Sequence, residues 1–465
     1  MKMQQPPSSQ GKKKGVQGQT NAFDLIACRA LAERSRGQFH LNFMQPVRMQ
    51  RMAWAVYAFA LLVAPWIWGS SMALSVLSQM GYAIIMCLSY NVLFGQGGML
   101  SFGHAVYTGL GGFVAVHAMN AGAQGHFAIP LVCVPLVGGL GSLLAAAVLG
   151  WVSTRKSGTT FAMITLGVGE LVAALALMWP GLFGGEGGIT SDRVYGEPLW
   201  GISFGPAIEV YYLIACYCLL CTIALYAWTT TPLGRMLNAV RDNPERVAFM
   251  GYNPQRVRYM AFMVAGFFAG IGGALAAINL EIVTAADSFS MARSGAYLLF
   301  TFIGGSAFFC GPILGAVLMV LTTVLLSEWT QAWAMYLGLF FMLTVLYAPK
   351  GLAGWVISVR QQIQHSSWRC MWPRYAGMAA MLVPMVLAAA VLIEMLYHRQ
   401  LQAATGPQLR FAGCELDVTN ASHWLAASAV LLVSGAGFLW LQRRAARCGH
   451  AQPQVGSVRQ VKEGA

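Results

Sequence analysis

The feature that most limits the folds open to this chain is a succession of long apolar runs. Each is close to the roughly 20 residues that an α-helix needs to cross the hydrocarbon core of a bilayer. They lie near 53–68, 73–93, 99–119, 128–152, 158–179, 207–228, 259–280, 335–348, 376–396 and 424–441. In lipid every backbone N–H and C=O must find a partner inside the protein, so such runs predict helices rather than open sheet. A further interval, 294–327, is interrupted by Gly304, Gly305, Gly311, Pro312 and Gly315. It reads as two short pieces that return the chain to the side it left, by crossing twice or as a re-entrant hairpin. The expected fold class is an all-α polytopic integral membrane protein with about 10–12 transmembrane helices.

Charge placement supports that topology. Only 10% of the residues are charged, against about 25% in soluble domains. Of the 29 Lys and Arg residues, 25 fall in five intervals: 1–51, 153–157, 229–258, 349–374 and 442–465. With about twelve crossings, all five lie on one face, as the positive-inside rule requires, and both termini are expected in the cytoplasm. The net charge of +13 therefore reports orientation, and no nucleic-acid partner is expected. Arg193, Arg293, Arg399 and Arg410 stand outside the pattern.

The expected division of the chain follows. Residues 1–50, with Pro6-Pro7-Ser8-Ser9 and Lys12-Lys13-Lys14 and no apolar core of a signal peptide, read as a disordered basic cytoplasmic extension. Met44, Met49 and Met52 are rival starts. A membrane domain covers 51–356, a cytoplasmic linker 357–375, an additional pair of transmembrane helices 376–441 and a cytoplasmic tail 442–465. Most of the ten cysteines sit in apolar runs. Cys216, Cys218 and Cys221, in YLIACYCLLCTIALY, read as small buried hydrophobes rather than a metal site. Cys414 is expected on the outer side without a partner.

One polar interval stands out, TTTPLGRMLNAVRDNPERVAFMGYNPQRVRYMAF at 229–262. Thr231-Pro232, Asn243-Pro244 and Asn253-Pro254 each pair an N-cap side chain with a proline at the first helical position. Gly251 sits where a C′ glycine ends a helix. Two short helices, 232–241 and 244–250, are predicted before a membrane helix begins. Leu237, Val240, Val247, Phe249 and Met250 give this loop more apolar content than water favours. It reads either as a docking surface for a soluble partner or as an amphipathic loop resting on headgroups.

Within the spans, two glycine-rich stretches are candidate pathway elements: GQGGMLSFGHAVYTGLGG from Gly95 and GGSAFFCGPILG from Gly304. Irregular backbone survives at membrane depth only where it lines a cavity or is buried in protein. Plain helix packing is the competing reading, and Gly266-xxx-Gly270 and Gly311-xxx-Gly315 fit it. The candidates are Gln96, Ser101, His104, Gly304 and Gly305, together with Glu170 in TLGVGELVAALALMW. An intramembrane carboxylate is costly enough to be a functional candidate. Thr159, Thr160 or His104 are its expected partners. The alternative is a protonated Glu170 that bonds two helices together.

Motifs for chemistry are missing. There is no G-x-x-x-x-G-K-[ST], H-E-x-x-H or G-x-S-x-G. The chain reads as a transport component and not an enzyme, with its energy supplied by an ion gradient or another polypeptide.

A family likeness rests on NVLFGQGGMLSFGHAVYTGLGGF, TLGVGELV with GGEGGI at 184–189, TPLGRMLNAVRDNPERVAFMGYNPQRVRYMAF, and the run from SGAYLL through IGGSAFFCGPILGA to LYAPKGLAG. Over roughly 70–355 the chain resembles the branched-chain amino acid permease family, the membrane subunits of bacterial ATP-binding-cassette importers, and its M-type subunit in particular. The resemblance implies that the loop 229–258 is a cytoplasmic coupling element that docks on an ATPase. It carries Pro232, Gly234, Arg235, Arg241, Asn243, Glu245 and Gly251, with Arg235 and Arg241 contacting the ATPase. It also implies a second permease subunit as a heterodimer partner, two cytoplasmic ATPase subunits and a periplasmic substrate-binding protein. The surroundings are lipid of the bacterial inner membrane. No cofactor is expected on this chain, since ATP and Mg belong to the ATPase. Glu170 matches a position where relatives often carry an acidic or amide residue. The arginine that often follows three residues later is Ala173 here, so a shared charge-pair mechanism is not carried over. Branched-chain amino acids are the first expected cargo, with urea, short amides and small carboxylates as alternatives. An autonomous secondary carrier using Glu170 is the rival from another class.

Overall fold

The computed structural model describes residues 47–125, 129–195, 203–330, 332–348, 350–365, 368–401, 408–411, 414–417 and 420–449. The chain divides into two compact units, one ending at Ile67 and one beginning at Trp68. The described part of the first is helix α1 (Val47–Ile67), which exposes Val56, Phe59, Leu62 and Trp66. The expected extension up to residue 46, the tail beyond residue 449, and the side chain of Cys414 lie outside the described residues.

In the second unit the apolar runs form α2 (Ser71–Asn91), α3 (His104–Ala123), α4 (Val134–Ser153), α5 (Thr159–Met178) and α6 (Ala207–Thr230). The polar interval follows as α7 (Pro232–Asp242) and α8 (Pro244–Phe249), and α9 (Pro254–Leu280) returns to the membrane. Then come α10 (Met291–Gly304), α11 (Gly311–Val320), α12 (Trp333–Tyr347), α13 (Gly351–His365), α14 (Trp368–Leu401) and α15 (Ala421–Gly449). Two short antiparallel ribbons complete it. β1 (Ile189–Thr190) pairs with β2 (Ile282–Val283), and β3 (Gln408–Phe411) with β4 (Cys414–Asp417). The molecule is an all-α polytopic membrane protein.

Five helical stretches among the described residues are long and apolar enough to cross a membrane: Ser71–Gln96, Leu131–Ser153, Thr159–Met178, Ala207–Thr230 and Pro254–Leu280. Trp333–Leu346 and Gly351–Ser358 form a sixth if the 53° bend between them is one broken span. Elsewhere the expected spans are modified. The run at 99–119 starts as irregular backbone, and its helix begins only at His104. Helix α3 tolerates His104, Thr108 and five glycines and alanines among its buried residues because protein, not lipid, surrounds it. The interval 294–327 is a hairpin of short helices. At 1.5 Å per residue α10 reaches only about 21 Å, short of the ~30 Å core. The expected linker 357–375 is helical on both sides of residues 366–367, and α14 extends well beyond 376–396 at each end.

Small residues set the centre of the unit, where α3, α4 and α9 pack. Lipid tails are as apolar as leucine, so these helices gain from close contact and hydrogen bonds rather than from escaping water. A Cβ on Gly273 would collide with the Thr108 carbonyl, and one on Gly111 with Gly270. Ser142 Oγ uses the same closeness to donate across helices to Tyr107 O at 2.6 Å. The packing reading of Gly266-xxx-Gly270 thus holds. Around this seam Tyr90, Phe161, Phe262, Tyr297 and Phe300 are fully buried.

Candidate functional site

The three helix starts of the polar interval form through local bonds. Thr231 Oγ1 accepts from Gly234 N at 3.3 Å, Asn243 Oδ1 from Arg246 N at 3.0 Å, and Asn253 Oδ1 from Gln255 N at 2.9 Å. Each proline occupies a position whose N–H has no intrahelical partner. Helix α8 stops in a Schellman motif: Tyr252 N donates to Val247 O and Gly251 N to Ala248 O, with Gly251 at φ 87°. That left-handed backbone is why glycine stands there.

The apolar residues of this knob divide into two sets. Leu237, Val240 and Val247 are buried, each burial worth about 1.5–3 kcal/mol relative to exposure, and they pin α7 and α8 to the bundle. Phe249 is 92% exposed, and Met250 and Tyr252 are exposed beside it. Arg235, Glu245 and Arg246 are also exposed, Pro232 and Asn243 lie at the surface, and Gly234 is buried against the end of α6. A mixed apolar and charged face is therefore held out rigidly from the membrane unit.

Arg241, also at the surface, reaches back into the chain. Its guanidinium turns inward and donates to the carbonyl of Gly95, while its stem lies against Gly98 and its Nε meets Asp242 at 3.2 Å. Gly95 belongs to a π-turn (Val92–Gln96) where α2 unwinds before the irregular backbone of 97–103. The structure thus ties α7 to the break in the membrane helices. Arg241, with its side chain 37% exposed, is thereby engaged as a strut between α7 and the break.

The break is lined by buried polar atoms without a protein partner: Asn91 Oδ1, Gln96 Oε1, Ser101 Oγ and His104 Nδ1. Such atoms cost about 1–3 kcal/mol each unless water or a ligand meets them. At its end His104 is fully buried, with its ring edge-on to Tyr90 at 5.2 Å. Ser89 Oγ donates its single proton to Ala265 O at 2.6 Å and lies 3.1 Å from His104 Nε2. The serine must therefore accept from Nε2–H, which leaves Nδ1 as a bare acceptor. Tyr90 OH to Ser101 O at 3.2 Å and Phe102 N to Thr165 Oγ1 at 3.2 Å hold the irregular segment between helices.

Gln96, Ser101 and His104 are therefore brought together along one segment. Glu170 is not. It lies on an exposed face of α5, one turn from Gly167, around which there is open space. His104, one of its expected partners, is bonded to Ser89 instead. Gly304 and Gly305 sit at the turn of the α10–α11 hairpin. Gly304 packs on the Gly311 backbone, and Gly305 (φ 109°) packs on Lys350 and Gly351. They form a tight joint rather than the wall of an opening.

Three groups escaped the sequence reading. Glu394 in α14 is buried, and its Oε1 accepts from Thr330 Oγ1 and from Tyr336 OH at 3.0 Å. It is a second carboxylate within an apolar run, and its place in 376–396 was the available signal. Ser89 gave none. Arg293, paired with Asp287, stood out only as an arginine outside the basic intervals.

Comparison with known proteins follows the same residues. The chain is 30% identical over 292 residues to the high-affinity branched-chain amino acid transport system permease protein LivM of Salmonella typhimurium, covering 58% of this chain and 67% of that one. It is 29% identical over 295 residues to the LivM protein of Escherichia coli, with the same two coverages. No solved structure matches. The family described as branched-chain amino acid transport system / permease component matches residues 72–348. That stretch holds the break, the knob and the hairpin, and the chain belongs to this permease family.

Proposed function

We propose that this chain is the membrane subunit of an ATP-binding-cassette importer of the bacterial inner membrane. It moves branched-chain or related small amino acids and is gated from the cytoplasmic side by partner ATPases. The observation that carries this is the bond from Arg241 of α7 to the Gly95 carbonyl at the break. A force applied to the exposed face of the knob reaches the irregular segment that holds Gln96, Ser101 and His104 through Arg241 and through the packing of α7 against Gly97 and Gly98. Those side chains, with unmatched polar atoms at the centre of the bundle, line the pathway. In this reading Arg235 and Glu245, beside the exposed Phe249, meet the ATPase, and the caps at Pro232, Asn243 and Gly251 keep that face rigid. ATP and Mg stay on the partner, and this chain binds no cofactor.

Glu170 supports a second membrane subunit. A carboxylate on a lipid-facing surface at mid-span is costly, so the face of α5 around Gly167 and Glu170 is covered by the other permease of the pair. A periplasmic binding protein would deliver the amino acid on the side opposite the knob, and both termini lie in the cytoplasm.

The test is Arg235→Glu in the assembled transporter. Reversing the charge on the exposed face should abolish ATP-driven uptake in proteoliposomes while the chain still inserts. Normal uptake by that variant removes the assignment. Uptake by the purified chain alone, driven by a proton gradient, would replace the importer with a secondary carrier.

A further inference from the structure

Arg293 and Asp287 lie on neither the knob nor the break, yet they form an ion pair beside a cavity. The cavity has a volume of about 100 Å³ and is enclosed by α2, α3, α9, the turn after β2, and α10. Gly109, Gly112 and Gly273 line it where α3 and α9 come so close that a Cβ on Gly273 would meet the Thr108 carbonyl. Met86, Leu280 and Val283 give it an aliphatic wall.

Its charged groups come from one short piece of chain. Ser290 caps α10 by accepting from Arg293 N at 3.2 Å and donates to Asp287 O at 3.2 Å. This turn holds the Arg293 guanidinium on the Asp287 carboxylate. The Asp287 side chain is 59% exposed and that of Arg293 31%, so the pair can be reached from outside the bundle. Deeper in, the hydroxyl of Tyr297 is buried and forms no hydrogen bond of good geometry, although Thr108 and Arg293 are near it. The cavity thus combines a cation, an anion, an unmatched hydroxyl and an aliphatic wall.

We propose that this cavity binds the head group of a zwitterionic aliphatic α-amino acid, with its carboxylate on Arg293 and Tyr297 and its ammonium on Asp287. The planar guanidinium suits a carboxylate, and the positive end of α10 adds to the same attraction. Both charges of the ligand are met by fixed opposite charges, and its short side chain takes the aliphatic wall. The volume sets the size limit. A cavity of about 150 Å³ holds benzene, so at about 100 Å³ this one takes the charged head group, leaves only a short aliphatic side chain against Met86, Leu280 and Val283, and refuses an aromatic ring. It lies near the end of α9 remote from the knob, roughly 30–40 Å along that helix at 1.5 Å per residue. Cargo released on the side away from the ATPases would meet it first. The inference rests on the amino acid permease reading.

The experiment is equilibrium binding of radiolabelled L-valine to the full chain in lipid nanodiscs. Competitors are isobutylamine, isovalerate and phenylalanine. The wild-type chain should bind valine and give it up to neither monofunctional analogue nor to phenylalanine. Arg293→Gln should weaken valine at least tenfold and bring it level with isobutylamine. Asp287→Asn should do the same relative to isovalerate. In Arg293→Asp/Asp287→Arg the ion pair survives with its order reversed, which keeps the turn folded. That variant should unfold at the wild-type temperature and still fail to bind valine. Valine bound as tightly by the reversed pair, equal competition by phenylalanine, or no valine bound by the wild-type chain at millimolar concentration would each overturn the proposal. Co-purification with ATPase subunits and the Arg235→Glu result are unaffected by that failure, so the importer reading is judged separately.

Discussion

Replacing Arg241 by methionine isolates the strut between knob and break. Methionine keeps the unbranched stem that lies against Gly98 and removes only the guanidinium. The Gly95 carbonyl then loses a charged donor. Hydrogen bonds to charged groups contribute about 1.5–3 kcal/mol, but this side chain is 37% exposed. Water can partly replace it, so the lower end, about 1–2 kcal/mol, is the better figure. The Asp242 contact adds little, being a surface pair. If this bond carries motion from α7 to the irregular segment, its loss uncouples the two by a factor of about 5–30. The assay is the number of ATP molecules hydrolysed per amino acid delivered by the assembled complex in proteoliposomes. That ratio should rise by the same factor while the complex still co-purifies, because the exposed face with Arg235 and Phe249 is untouched. An unchanged ratio in an intact complex would refute the mechanical link, and uptake would have to be gated elsewhere.

Other expectations follow from burial. Leu237→Ala should cost about 2–5 kcal/mol in the anchoring of α7 and expose the knob to protease. Phe249→Ala should change thermal stability by less than about 0.5 kcal/mol yet weaken ATPase capture in a pull-down, since its ring is 92% exposed. Equal effects of the two would contradict the division of the knob into anchoring and docking residues. Glu394→Ala removes the acceptor shared by Thr330 and Tyr336. It should lower stability by about 1–3 kcal/mol, read as a fall in the thermal unfolding midpoint, and Glu394→Gln should recover much of that loss.

Much of the architecture was legible because the forces behind it act over few residues. An N-cap needs a side-chain oxygen and an N–H two or three positions later. Thr231, Asn243 and Asn253 therefore announced three helices that form where expected. The Schellman turn at Gly251 is equally local. Hydropathy and the bias of Lys and Arg are sums along the chain, and they sufficed for the fold class. Length alone misjudged 99–119, where a helix buried in protein need not be apolar and its first residues need not be helical.

What the tertiary structure decided was the direction in which side chains point. Arg235 and Arg241 look alike in one dimension, both basic and both on α7. Only the packing of α7 beneath Gly97 and Gly98 turns one outward and the other onto a carbonyl 146 residues away. In the same way α5 could have placed Glu170 beside His104 and instead turns it out of the unit. Arg293 and Asp287 gain an aliphatic cavity only because glycines on α3 and α9 meet as they do. The rotation of a helix about its own axis is set by its contacts with distant segments. Local sequence determines that a helix forms, and those contacts determine which of its residues meet.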